Sequence, residues 1–220
     1  AVINTDLVVL ATPVSIIHGM LSMIGPHLKR GCIVTDVGSS KEEIVNAARE
    51  MLPPHVSFVG SHPMAGSEKR GVQHATAELF EGSQCILTPT ENTNRGALEK
   101  VRRFWTRVGC KIKILSPEEH DKILANVSHV PHIMSYALME AIPESYLVYA
   151  AGGLKDTTRI ASSSPQMWND ICLGNSKNII AALDEVVKKL SGIRKAMSMA
   201  DQKALIQHFQ TAKNKRDKLG

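Results

Sequence analysis

Aromatic side chains are scarce, at 4% of 220 residues. A core with so few of them must be mostly aliphatic with Ala and Met, which turns the reading away from an aromatic-rich β-sandwich and towards helices and α/β layers. No CxxC pair occurs, and Cys32, Cys85, Cys110 and Cys172 are scattered without metal-ligand spacing. Cys32, Cys85 and Cys110 lie in or beside apolar runs, the setting of small buried hydrophobes, and a reducing, cytoplasmic environment fits them best. No run approaches about 18 uninterrupted apolar residues and no charged-then-apolar signal opens the chain, so the sequence reads as soluble, with no membrane partner. Excess charge is also lacking outside the tail. Of the net charge of +5, Lys213, Lys215, Arg216 and Lys218 against Asp217 place +3 in the last ten residues. The remainder is nearly neutral, which excludes a polyanion-binding face and with it a nucleic-acid partner. Finally, no two glycines are spaced Gly-x-Gly. The pyrophosphate-binding turn that normally opens an α/β dinucleotide domain is therefore not here. Either the first mononucleotide-binding half lies outside this sequence, or the fold is of another kind.

What remains is ordinary for a globular protein: 43% apolar and 21% charged residues, in a length that fits one large or two small domains. Asp6 to Ala11 is an apolar run entering Thr12-Pro13 and reads as a strand buried on both faces. Val14, Ile17, Leu21, Ile24 and Leu28 form a helical stripe limited by Pro26. A second strand, Cys32 to Val37, ends at Gly38-Ser39-Ser40, and Ser40 with Glu43 reads as a capping box opening a helix to about Met51. Strands at Val56 to Val59, Gln84 to Leu87 and Lys111 to Leu115, with a helix over about Ala97 to Val108, complete an α/β alternation. That alternation is the signature of a parallel, doubly wound sheet. From Ser116-Pro117-Glu118-Glu119, an N-cap with proline at the first helical position, the pattern is helical to about residue 212. The expected organisation is an α/β part over residues 1–115 and an all-helical part over 116–220.

Four stretches can carry chemistry. Gly60-Ser61-His62-Pro63-Met64-Ala65-Gly66 follows an apolar run and reads as a turn delivering His62 to the carboxyl edge of the sheet, where ligands bind. A histidine there can take a proton near neutral pH. Asn126, His129 and His132 share a helix face, and Pro131 is expected to kink the helix at that turn. By themselves the two histidines read as satisfied or surface side chains; a zinc site would need a third ligand, and none stands at a recognisable spacing. Gly152-Gly153 allow close backbone approach, and Arg159 offers a planar fork for a carboxylate, although a lone arginine is more often structural. Gly38-Ser39-Ser40-Lys41 stands at a strand-to-helix turn whose free N–H groups favour an anion or polar ligand.

Taken together and in order, these pieces resemble the prephenate/arogenate dehydrogenase family of tyrosine biosynthesis. The resemblance rests on Ala11-Thr12-Pro13, Thr35 to Lys41, Gly60 to Gly66, Leu87-Thr88-Pro89, Ser128 to His132, Gly152 to Arg159, and Pro165 to Asp170 with Trp168. It implies a partial Rossmann-like parallel sheet followed by a helical dimerisation domain, and oxidative decarboxylation of prephenate or arogenate with NAD or NADP. By the family pattern His62 takes the proton of the ring hydroxyl as hydride departs. Ser39 orients that hydroxyl or His62 and touches the nicotinamide side. Arg159 clamps a substrate carboxylate, His132 and His129 line the helical wall with Gly152 beside them, and Thr12, Pro13 and Gly38 lie along the nicotinamide and its ribose. His132 tilts the substrate reading towards prephenate. The chain ending at Gly220 leaves no room for an appended regulatory domain. Two other readings stay open: a β-hydroxyacid-type dehydrogenase that works through a lysine of the helical part, and a dimeric module without catalysis.

Overall fold

The computed structural model describes residues 2–65 and 75–219. Gly66 and the polar segment after it fall outside the described residues up to position 74. The chain divides into two compact units, residues 1–179 and 180–220.

The first unit is built on a five-stranded sheet in the order β1-β2-β3-β4-β5. Strand β1 (Leu7–Leu10) pairs in parallel with β2 (Ile33–Asp36), and β2 in parallel with β3 (Ser57–Pro63). β3 then pairs antiparallel with β4 (Gln84–Thr88), which pairs in parallel with β5 (Lys111–Ile114). The sheet is thus mostly parallel, as the strand–helix alternation suggested, with one antiparallel pair at β3–β4. β1 was expected to be buried on both faces. It is an edge strand with Leu7, Val8 and Val9 only half-buried, whereas all four residues of β2 are buried.

Helices cover both faces. α1 (Val14–Ile24) buries Ile17, Leu21 and Ile24, the i, i+4, i+7 stripe. It ends four residues earlier than the stripe suggested and continues as a 3₁₀ turn, Gly25–His27, because Pro26 has no N–H to extend the ladder. α2 (Glu42–Met51) buries Ile44, Ala47 and Ala48. Leu10, Leu21, Val34, Ile44 and Ala48 belong to one apolar core between these helices and the sheet. α3 (Arg95–Arg107) buries Ala97, Val101 and Trp105 in a second core with Ile33, Val59, Leu87 and Cys110. Cys32, Cys85 and Cys110 are all buried, reduced members of these cores.

After Ser116 the described chain is helical. α4 (Pro117–Leu124) carries the expected capping box: Ser116 Oγ accepts from Glu119 N–H at 3.1 Å, and Glu119 Oε2 accepts from Ser116 N–H at 3.0 Å. A π-helical segment, Ala125–His129, leads into α5 (Val130–Ala141), with Pro131 in its first turn. The distortion expected from Pro131 takes this form: the Val130 N–H bonds Ala125 O, one residue further back than in an α-helix. A 3₁₀ segment (Glu144–Tyr149), α6 (Gly152–Thr158), a second 3₁₀ segment (Arg159–Ser162) and α7 (Pro165–Gly174) follow.

α8 (Ser176–Ser198) begins in this unit and continues into the second, where α9 (Gln202–Arg216) joins it. The α8–α9 turn places Ala200 at φ 51°. Asp201 N–H reaches back to Ala196 O at 2.9 Å, and the Asp201 side chain caps α9 through Ala204 N–H. None of the described helices is long and apolar enough to cross a membrane.

Candidate active site

The turn after β2 is organised by a carboxylate. Asp36 Oδ2 accepts from Gly38 N–H at 2.8 Å, and Oδ1 accepts from Ser61 N–H on β3 at 3.1 Å. Lys41 Nζ pairs with Asp36 Oδ2 and donates to Ser61 O at 3.0 Å, with both ionic side chains wholly buried. Burial lowers the Lys41 pKa, opposed by the Asp36 charge. Such a pair contributes little net stability, but removing one partner strands the other and costs about 3–5 kcal/mol.

The capping box expected from Ser40 and Glu43 does not form. Lys41 occupies the N-cap position of α2, and Ser40 Oγ is buried with no partner among the described residues. Asp121 on α4 does the capping: its Oδ1 accepts from Lys41 N–H at 2.7 Å and its Oδ2 from Glu42 N–H at 2.9 Å. A carboxylate at a helix N-terminus satisfies orphan N–H groups and favours the dipole. Ser40 is displaced from the role because a side chain from another element reaches the N–H groups first.

His62 stands within β3, not in a turn. Pairing with β4 runs Gly60↔Thr88, Ser61↔Leu87, His62↔Ile86 and Pro63↔Cys85, and Met64 N–H continues it to Gln84 O at 2.7 Å. Its Nδ1 lies 2.8 Å from His120 Nε2, and His120 Nδ1 lies 2.7 Å from Asp121 Oδ1. The two rings meet edge to face at 5.1 Å. Burial first, then the neighbouring His120, Lys41 and His129, hold His62 well below the usual imidazole pKa. Burial lowers His120 as well, with Asp121 opposing. His62 is therefore neutral at neutral pH, with a ring nitrogen able to accept a proton.

The helical wall is made by the π segment and its neighbours. His129 is buried, with its pKa pushed down to about 4, mainly by burial. Its Nδ1 lies 3.2 Å from Asn175 Nδ2, which also donates to Asp121 O at 2.8 Å. His129 Nε2 is buried without a partner among the described residues, and the ring interacts with the Ser39 backbone. His132 bonds Ser128 O through Nδ1 at 2.9 Å and stacks on Trp168, with centroids 3.8 Å apart. Asn126, expected on this face, is exposed and bonds Lys122 O of its own helix. Burial lowers the His132 pKa, opposed by Ser128 O, and the exposed Arg159 adds to the lowering. A Cβ added to Gly152 or Gly153 would meet nothing within 4 Å. The close approach expected there is not made within this chain, because both glycines open α6 on an exposed surface.

Thr12, Pro13, Gly38 and Ser39 line one cavity of about 520 Å³ together with Met167 and Ile171 of α7. Thr12 Oγ1 is buried without a partner among the described residues. At Gly38 a Cβ would fall 2.7 Å from Ile44 Cδ1 and 2.9 Å from Asp36 Oδ2, so the turn has no room for a side chain there. An orphan hydroxyl and apolar walls fit the nicotinamide–ribose end of a dinucleotide. Ser39 makes no hydrogen bond to His62 among the described residues; the ring's partner at Nδ1 is His120.

Sequence reasoning brought His62, Ser39, Arg159, His132 and His129 forward and missed Asp36, His120, Asp121 and Asn175. Asp36 had a usable signal: an acid that ends an apolar strand just before a Gly-Ser-Ser turn. His120-Asp121 had none beyond its place in a capped helix.

A family model described as "Prephenate dehydrogenase, nucleotide-binding domain" matches residues 1–114, and one described as "Prephenate dehydrogenase, dimerization domain" matches residues 116–211. Prephenate dehydrogenase of Bacillus subtilis is 40% identical over 219 residues, covering 96% of this chain and 59% of its own length. Cyclohexadienyl dehydrogenase of Zymomonas mobilis is 34% identical over 223 residues, covering 98% of this chain and 76% of its own. The crystal structure of prephenate dehydrogenase from A. aeolicus in complex with hydroxyphenyl propionate and NAD+ superposes with a TM-score of 0.91 at 35% identity. That match covers 99% of this chain and 77% of the other.

Proposed function

The chain belongs to the prephenate dehydrogenase family, and from that premise we propose that it serves the oxidative decarboxylation of prephenate or arogenate in tyrosine biosynthesis, with NAD or NADP. The observation that carries the reading is His62: a neutral imidazole on a strand, its Nδ1 engaged by His120, which leaves Nε2 for a substrate proton. A nucleotide held along Thr12, Pro13 and Gly38 would supply the hydride acceptor. His62 Nε2 takes the ring-hydroxyl proton as the carbon bearing it loses hydride, and carbon dioxide leaves as the ring becomes aromatic. Ser39 steers the hydroxyl from the wall shared with Thr12, Pro13 and Gly38. Arg159 holds a substrate carboxylate, and the His132–Trp168 stack closes the apolar side beside it. His132 favours the keto side chain of prephenate.

The chain spans about three-fifths of the length of the Bacillus subtilis relative. The second proposal is a homodimer through α8 and α9. The matching model for that region describes a dimerization domain, and Val187, Leu190, Ile206 and Phe209 stand exposed on those helices.

The test is nucleotide reduction by protein with its natural N-terminus, using prephenate and arogenate with NAD and NADP in all four combinations. No reduction in any of them sinks the reading. His62→Asn is expected to lower kcat by roughly 10²–10⁴ with substrate still bound. Arg159→Ala is expected to act mainly on KM.

A further inference from the structure

The path His62–His120–Asp121 has a direction, and the direction comes from backbone atoms remote from the base. Asp121 Oδ2 faces Glu42 N–H, and Oδ1 faces both Lys41 N–H and His120 Nδ1. Peptide N–H groups only donate, so both oxygens are committed as acceptors. The hydrogen bond at 2.7 Å then requires the proton on His120 Nδ1. A neutral ring with its proton on Nδ1 has an acceptor at Nε2. That acceptor lies 2.8 Å from His62 Nδ1, which must in turn hold the His62 proton. The outcome is a bare lone pair on His62 Nε2.

We propose that Asp121 and His120 are positioning residues that impose the Nδ1–H tautomer on His62, so that the base nitrogen is Nε2 in every ligand-free molecule. The proposal rests on the functional reading above, and it extends that reading to residues that never meet the substrate. The wrong tautomer would point an N–H at the ring hydroxyl and could not take its proton. The groups facing His62 from the surrounding elements are Lys41 at the start of α2, His120 on α4 and His129 in the π segment. Each is cationic or neutral, and among the described residues none can accept in place of His120: the neutral imidazole of His129 accepts from Asn175 Nδ2 at Nδ1, so its Nε2 carries the proton and only donates. The anchor is doubly held, because Asn175 also ties the Asp121 carbonyl.

The test is ¹⁵N NMR of histidine-labelled full-length enzyme at neutral pH, with the two rings assigned by His62→Asn and His120→Gln. The expected spectrum has protonated Nδ1 and unprotonated Nε2 on both rings. A His62 proton on Nε2 overturns the proposal. His120→Leu removes the acceptor and is expected to lower kcat by roughly 10–10³-fold at unchanged KM, with Nε2–H appearing on His62. His120→Gln, whose amide oxygen can accept from Nδ1, is expected to recover part of the loss. A folded His120→Leu enzyme with wild-type kcat overturns the proposal equally. If His120→Leu does not fold, the wild-type spectrum still decides. If the wild-type enzyme reduces neither nucleotide, the functional reading fails, and the spectrum judges the tautomer separately.

Discussion

Asp121 and Lys41 lie 80 positions apart in the chain, yet the carboxylate of the first accepts the backbone N–H of the second at 2.7 Å. One side chain from α4 thus starts α2, the helix that follows the Gly38-Ser39 turn. Asp121→Ala is expected to destabilise the protein by about 2–4 kcal/mol, combining a lost cap with buried donors left on Lys41, Glu42 and His120. Urea unfolding followed by circular dichroism measures it. A loss below about 0.5 kcal/mol would show the contact to be no better than a surface ion pair.

Stability should fall in mild acid. An unfolded histidine titrates near 6.5, whereas burial takes folded His129 down to about 4 and also lowers His62 and His120. Between those values the unfolded chain binds protons that the folded chain refuses, so stability rises with pH. It is complete above about pH 6.5 and is lost as pH falls towards 4, with His129 alone contributing roughly 3 kcal/mol. Urea midpoints at pH 7.5, 6, 5 and 4.5 test this, and His129→Gln should show a shallower slope. A flat profile would contradict it.

Gly38→Ala should damage the cavity from beneath. Its Cβ would fall 2.9 Å from the Asp36 oxygen that already holds Gly38 N–H and Lys41. Overpacking of this kind costs about 1–3 kcal/mol, and the displaced turn should raise KM for the nucleotide more than for the substrate. Equal effects on both would separate Gly38 from the cofactor.

Ala200→Gly should stabilise the second unit. Ala200 holds φ 51° in the turn between α8 and α9, a conformation that glycine adopts without its Cβ penalty. The expected gain is about 1 kcal/mol, seen as a higher Tm with unaltered kcat.

The legible parts of the chain were the local ones. The Ile17, Leu21, Ile24 stripe and the Ser116–Glu119 capping box each involve residues within two turns of one another, and their physics is complete within that span. The Ser40–Glu43 pair has the same local form and fails, because what caps α2 is a tertiary partner that no spacing near Ser40 announces. The direction of β4 was equally hidden, since alternation is the same in parallel and antiparallel pairs. Of the site, His62 stood out by its motif. His120 did not, because its meaning lies in a contact spanning 58 positions.

The antiparallel β3–β4 ladder has a consequence for the timing of events at His62. A base carried by a loop must wait for the loop to close, and some of the binding energy is consumed in stilling it. Here the backbone on both sides of His62 is already bonded to its neighbour strand, from Gly60 to Met64. The His62 ring is therefore in place before anything binds, and under the proposed function only the substrate has to move.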